Sequence, residues 1–199
     1  QIRQTSGPQH WLRTVTQPRV DLVETGTCDL SIGPQQHSGC SWHPPTLWIG
    51  VGCERNTSKS LIYRAISQSL NDAGFAIEAI AGLATADRKA DEPALLALCH
   101  DYDWPLRTYT AEQLAVIPVP TPSQAVFKEM GTASVAEAAA LLTAGDSGTL
   151  RQTKRIHHAQ ESEQGAVTIA LAESAVPMAP HRGELHLIGS GPGDPSLIS

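Results

Sequence analysis

Leu47-Trp48-Ile49-Gly50-Val51-Gly52-Cys53-Glu54-Arg55-Asn56-Thr57-Ser58 carries the reading of the fold. Leu47 to Gly52 is an apolar run of the length of a buried strand, and Cys53 to Thr57 is a polar turn. From Ser58 the residues Leu61, Ile62, Ala65, Ile66 and Leu70 recur at helical spacing until Gly74 stops them. The pattern repeats downstream. Residues 75–80 suggest the next strand, and the polar residues 85–92 lead into a helix carrying Leu95, Leu96 and Cys99. Residues 106–109 read as a strand. Thr110-Ala111-Glu112-Gln113 has capping-box spacing, and Pro118, Pro120 and Pro122 enforce an extended loop. Ser134-Val135-Ala136-Glu137 is a second capping box opening an Ala/Leu-rich helix to about Thr143, and residues 166–172 (A-V-T-I-A-L-A) are a strand. Strands alternating with helices imply an α/β domain: a mostly parallel sheet with helices on both faces, in a Rossmann-like three-layer arrangement.

Upstream the signal weakens. Residues 1–19 have no consistent period, residues 20–24 (V-D-L-V-E) alternate as a short strand would, and the polar, Gly/Pro/Ser-rich stretch to residue 46 reads as a linker. Residues 174–182, with two prolines, read as a second linker. Beyond it, residues 184–189 form a new strand running into a Gly-rich turn with no helix after it. The chain opens on Gln1 and stops inside that motif, so an excerpt of a longer polypeptide is expected.

A chain of 199 residues holds one domain or one domain plus fragments, and 41% hydrophobic residues can bury a core. Aromatics at 5% point away from an aromatic-rich binding surface. The formal charge of −6 argues against a nucleic-acid partner, which needs a basic footprint. No apolar run is long enough to span a bilayer, so no membrane partner is expected. Cys28, Cys40, Cys53 and Cys99 are too few and scattered for a disulfide framework, and a reducing, cytoplasmic setting is expected. Cys28, His37, Cys40 and His43 are zinc-ligand types on one short stretch, but their irregular spacing favours a plain linker and no metal.

The turn after Gly50 and Gly52 is the first place that could carry chemistry. Two glycines allow a tight turn and close approach, the helix beyond offers unpaired N–H groups, and Arg55, Asn56 and Thr57 add donors suited to a carboxylate or phosphate. Arg55 occupies the third glycine position of the dinucleotide fingerprint, and no Gly-Lys-Ser/Thr follows, so neither phosphate-binding motif is present. An ordinary βα turn with a capped helix remains an equal reading. Asp91 and Glu92 fit the first turn of a helix through its dipole, whereas Lys89 sits on a loop where a cation could reach a carboxylate. Capping accounts for Glu137. Lys154, Arg155, His157 and His158 form a basic cluster that reads as a solvated face.

Taken in order, L-W-I-G-V-G-C-E-R-N-T-S at 47–58, Lys89-Ala90-Asp91-Glu92, the helix opening at Ser134 and Lys154 before the V-T-I-A-L-A strand resemble the C-terminal domain of the cobalamin-biosynthesis protein CbiG, called CobE in the aerobic pathway. The tail, G-E-L-H-L-I-G-S-G-P-G-D-P-S-L-I-S at 183–199, resembles the opening of a tetrapyrrole methyltransferase, for which the natural neighbour is CbiH/CobJ, precorrin-3B C(17)-methyltransferase. The resemblances divide the chain into the end of a preceding CbiG region (1–25), a linker (26–46), the CbiG/CobE-like domain (47–173), a linker (174–182) and a truncated methyltransferase start (183–199).

For function, the resemblance implies a bifunctional corrin-pathway protein. One half would be a cobalt-precorrin-5A hydrolase that opens a δ-lactone with water and releases acetaldehyde. The other would be an S-adenosylmethionine-dependent methyltransferase, inactive in so short a stretch, whose incomplete cofactor site includes Gly189, Gly191, Pro192, Gly193 and Asp194. The hydrolase half needs no cofactor of its own, since cobalt comes with the substrate. Gly52, Arg55, Asn56, Thr57, Lys89 and Lys154 are the expected contacts to the carboxylates of a precorrin or cobalt-precorrin intermediate. Lactone opening needs an activated water and an oxyanion donor; Glu54, Glu92 and Glu137 are the candidate bases, with no choice among them. The expected partners are that macrocycle and the missing N-terminal and methyltransferase domains, with a homodimer left open. A non-catalytic module that holds or hands on a corrin intermediate, and a spacer for the methyltransferase, are the alternatives.

Overall fold

The structure, a computed structural model, describes residues 1–7, 21–122 and 134–178. Strand β4 (Leu47–Cys53) shows why this run is apolar with no polar alternation. Leu47, Ile49 and Val51 are fully buried on one face, against Leu61, Ile62, Ile66 and Leu70 of helix α1 (Lys59–Ala73). Trp48 turns to the other face and packs with Ala140 and Ala144 of helix α4 (Val135–Ala144). Successive side chains of a strand point to opposite faces, so this one strand forms the middle of three layers.

The remaining elements follow in order. Strand β5 (Ile80–Ala86) is entirely buried and is followed by helix α2 (Pro93–Tyr102), strand β6 (Leu106–Tyr109) and the short helix α3 (Ala111–Ala115). After α4 come strands β7 (Thr149–His158) and β8 (Ala166–Glu173). The sheet order is β6-β5-β4-β8-β7. β4, β5 and β6 pair in parallel, and β8 is antiparallel to both β4 and β7. Four of the five strands therefore run one way and β8 runs against them. Helices α1 and α2 cover one face; α3 and α4 cover the other, with Leu114 packed beside Val135, Ala138, Ala139, Ala84 and Ala86. The expected α/β fold with helices on both faces is what the chain adopts.

Several local expectations shift. The strand expected at 75–80 begins only at Ile80, after a 3-10 turn at Ile77–Ala79, and runs through residues read as polar loop. Its sequence, I-A-G-L-A-T-A, is too poor in β-branched residues to announce a strand; burial on both faces imposes one. The basic cluster at 154–158 is the end of β7, an edge strand whose largely exposed residues hide the alternation. Thr110 forms both halves of its capping box with Gln113. Ser134 accepts the N–H of Glu137 at 3.4 Å, but the Glu137 carboxylate does not return to Ser134.

Residues 26–46, expected as a linker, hold strands β2 (Leu30–Ile32) and β3 (Cys40–Trp42), which pair in parallel with β1 (Ile2–Gln4) in a second, three-stranded sheet. Segments of three residues are too short to display a period, and the partner that orders them lies far away in sequence. The strand expected at 20–24 reduces to a single bridge between Leu22 and Ile2, and Val20 lies outside the described residues. Main-chain bonds from Gln36 N–H to the Gly74 carbonyl (2.9 Å) and from Ala76 N–H to the Pro34 carbonyl (2.8 Å) tie this region to the end of α1. Met178 N–H donates to the Pro45 carbonyl at 2.7 Å. The expected methyltransferase start, with Gly189, Gly191, Pro192, Gly193 and Asp194, lies outside the described residues. Among the described residues, no helix is long and apolar enough to cross a membrane.

Candidate functional site

A cleft of about 410 Å3 opens at the carboxyl ends of β4 and β5, where open α/β sheets receive ligands. Because β8 runs against β4, the start of β8 meets the end of β4: Gly52 lies opposite Thr168, and Thr168 opposite Ile156 of β7. Those residues line the cleft with Ala86 at the end of β5, and the first turn of α4, Ser134 to Ala136, makes one wall. Glu54 and Arg55 from the turn after β4, Lys89 from the 3-10 segment Asp87–Lys89, and Lys154 from β7 complete it. Among the described residues, three cations and one carboxylate thus face a cleft in a chain of net charge −6. Binding follows such a local field rather than the total.

Behind the cleft is a network that sequence spacing did not reveal. Glu92, the N-cap residue of α2, is 1% exposed. Its Oε1 accepts the main-chain N–H of Asn56 at 2.8 Å. Its Oε2 lies 3.6 Å from the Arg55 guanidinium and 3.9 Å from Lys89 Nζ, with no hydrogen-bond partner among the described residues. Arg55 in turn donates to Asp91 Oδ1 at 2.6 Å and to the carbonyl of Arg88. The hydrogen bond from Arg55 holds the Asp91 carboxyl below its ordinary value. The turn's Asn56 N–H therefore receives an anion of the protein's own, while Arg55, bonded to Asp91, stays half exposed at the cleft.

The rest of that turn is internal. Thr57 is buried and its hydroxyl donates to the carbonyls of Glu54 (2.9 Å) and Ala166 (3.3 Å). Asn56 takes the left-handed conformation at φ 60°, where Gly had been expected to make the bend. Gly50 and Gly52 are instead inside β4.

Glu137 forms a second strut. It is fully buried, and its Oε1 accepts the N–H of Lys154 at 3.0 Å and the hydroxyl of Thr121 at 2.6 Å. The Lys154 ammonium donates to the Thr121 carbonyl, so Glu137 fixes the strand segment that presents Lys154 to the cleft.

Of the residues expected in the site, Gly52, Glu54, Arg55, Lys89 and Lys154 line one cleft; Asn56, Thr57, Glu92 and Glu137 stand behind it. Among the three carboxylates offered as bases, Glu54 is exposed at the cleft, whereas Glu92 and Glu137 are buried and bonded to the protein. Sequence reasoning missed Cys53, Ser134, Ile156, Ala166 and Thr168 as lining residues. The Cys53 thiol is pushed up to about 11, chiefly by burial, so it stands in the cleft as a neutral thiol at pH 7. In the three-stranded region, Cys28 Sγ lies 3.8 Å from His37 Nε2, while His43 Nδ1 is 2.7 Å from the Gly33 carbonyl and Cys40 is exposed.

The fold belongs to a defined class of domain. The family described as the C-terminus of cobalamin synthesis protein G matches residues 47–172, the whole five-stranded unit up to the last residues of β8. The chain belongs to that family, and thereby to the proteins of cobalamin biosynthesis. It is 34% identical over 135 residues to the cobalt-precorrin-5A hydrolase of Priestia megaterium, covering 68% of this chain and 34% of that one, so it spans about a third of that relative's length. It is 34% identical over 126 residues to protein CobE of a Sinorhizobium species, covering 62% of this chain and 82% of that protein. The crystal structure of CobE, a protein from the cobalamin (vitamin B12) biosynthetic pathway, superposes with a TM-score of 0.56 at 29% identity, over 64% of this chain and 92% of that one.

Proposed function

We propose that the cleft binds the carboxylate-bearing edge of a cobalt-precorrin, and that this domain serves cobalt-precorrin-5A hydrolysis within a longer polypeptide. The observation that carries the reading is the convergence of Arg55, Lys89 and Lys154 on one cleft beside the first turn of α4. Acetate and propionate groups ring such a macrocycle. A cleft of about 410 Å3 takes one edge of it, and cationic side chains with helix N–H groups suit its carboxylates. In hydrolysis, Glu54 would accept the proton of the attacking water, and the α4 N–H groups would face the developing oxyanion. The tail at 183–199 would open an S-adenosylmethionine-dependent methyltransferase of the same pathway.

A second reading has its own support. Two of the three candidate bases are buried struts, and the chain covers 82% of the free-standing relative CobE. A domain that holds a corrin intermediate and hands it on needs the cations but no base. Titrating the chain with a cobalt corrinoid and following macrocycle absorbance tests both readings; a saturable shift supports them and none removes them. Acetaldehyde release from cobalt-precorrin-5A then separates hydrolysis from carriage.

A further inference from the structure

Gly50 and Gly52 stand two residues apart on the same face of β4, and the fold treats them differently. A Cβ at Gly50 would run into the carbonyl oxygen of Ala136 and come within 2.9 Å of Ala140 Cβ, so the packing of α4 requires glycine there. Among the described residues, a Cβ at Gly52 would meet only Val135 and Thr168, both at 3.8 Å, which is ordinary van der Waals contact. Nor is Gly52 among the glycines with positive φ. Packing and backbone conformation both leave room for a side chain. Glycine inside a strand weakens it and marks a bulge, a bend or the close approach of a ligand or another backbone; the pairing of Gly52 with Thr168 is regular, with no bulge.

The neighbours of Gly52 fit a ligand. Thr168 and Ile156 continue the row across β8 and β7, and Ala86 lines the cleft on the β5 side. This floor is built from main chain, a methyl-bearing hydroxyl residue and a methyl group, and it ends at Ile156, whose large apolar side chain is 62% exposed. The cations stand around this floor.

We infer that the floor at Gly52 and Thr168 receives the flat apolar face of the ligand, and that Ile156 packs on that face and determines which macrocycle fits. This rests on the tetrapyrrole reading above and adds what the cations alone do not supply. Charge recognises the rim of the molecule; the bare floor recognises a broad plate that can lie against the sheet.

The test compares the unaltered chain with Gly52→Ala, Ile156→Ala, Arg55→Ala and the exposed control Val176→Ala, which lies past the end of β8 remote from the cleft. Each is titrated with a cobalt corrinoid carrying free carboxylates and with its fully amidated counterpart, and each is checked by thermal unfolding. Gly52→Ala, which adds a methyl, and Ile156→Ala, which removes three carbons, are expected to lose affinity about tenfold or more for both ligands, as changes of that size in an apolar site do, with unfolding unchanged. Arg55→Ala should lose affinity for the carboxylate form alone. If Gly52→Ala and Ile156→Ala both bind like the unaltered chain while Arg55→Ala is weakened, the floor is not the contact face and the inference is overturned, with the cationic site intact. If the unaltered chain binds neither corrinoid, the site reading itself fails and the inference falls with it.

Discussion

The carboxylate of Glu92 accepts the main-chain N–H of Asn56 at 2.8 Å, from a position 1% exposed and 36 residues further along the chain. A side chain from the start of α2 therefore closes the turn after β4 and lies under both Arg55 and Lys89. Two of the three cations at the cleft thus share one buried anion.

Glu92→Ala should destabilise the domain by about 2 kcal/mol, because it removes a charged hydrogen bond and leaves the Asn56 N–H without its partner. Glu92→Gln keeps an acceptor for that N–H and should cost about half as much. Urea denaturation of the two variants checks the order, and equal losses would mean that charge rather than the hydrogen bond holds the turn.

Gly50→Ala should destabilise by about 3 kcal/mol, since α4 cannot retreat from the Ala136 carbonyl without opening the Trp48–Ala140 contact. Gly52→Ala should leave the unfolding midpoint unchanged or slightly raised. The comparison needs only thermal melts.

Lys89→Ala and Lys154→Met should each weaken binding of a carboxylate-bearing corrinoid about tenfold, the magnitude of a lost hydrogen bond to a charged group. Affinity of the unaltered chain should fall as salt rises, because Arg55 is half exposed and screened. Titrations at low and high ionic strength check this; an affinity indifferent to salt would exclude the cations as the main contacts.

Burial raises the thiols of Cys53 and Cys99 to about 11, from 9.0 in an unhindered thiol. The folded state holds these protons more tightly than the unfolded chain, so their contribution is present below pH 9 and is lost as pH rises from 9 towards 11. Stability should decline over that window, and Cys99→Ala should flatten the decline. At pH 8 a thiol-directed reagent should label exposed Cys40 well before Cys53 or Cys99, as mass spectrometry of partly alkylated protein would show.

Local chemistry made much of the fold legible. The apolar run of β4, the apolar stripe of α1 with Gly74 behind it, and the Thr110 capping box are properties of neighbouring residues, and each formed where its pattern lies. Arg55 and Lys89 were likewise singled out by charge beside a strand end or helix start, whereas Lys154, read locally as part of a solvated face, came to the site only through the family resemblance. What local pattern could not carry is pairing. That β8 inserts antiparallel between β4 and β7 depends on which strand buries it, and that choice sets Thr168 beside Gly52 and brings Ile156 and Lys154 to the cleft. The same holds for Glu92 and Glu137. Their sequence positions suit helix starts, but burial removed their carboxylates from water, and each was left to find donors on a distant segment. The sequence by itself determined the α/β alternation and the cations; only the tertiary structure decided the strand order that gathers them and the buried anions that hold them, because both come from contacts between residues far apart in the chain.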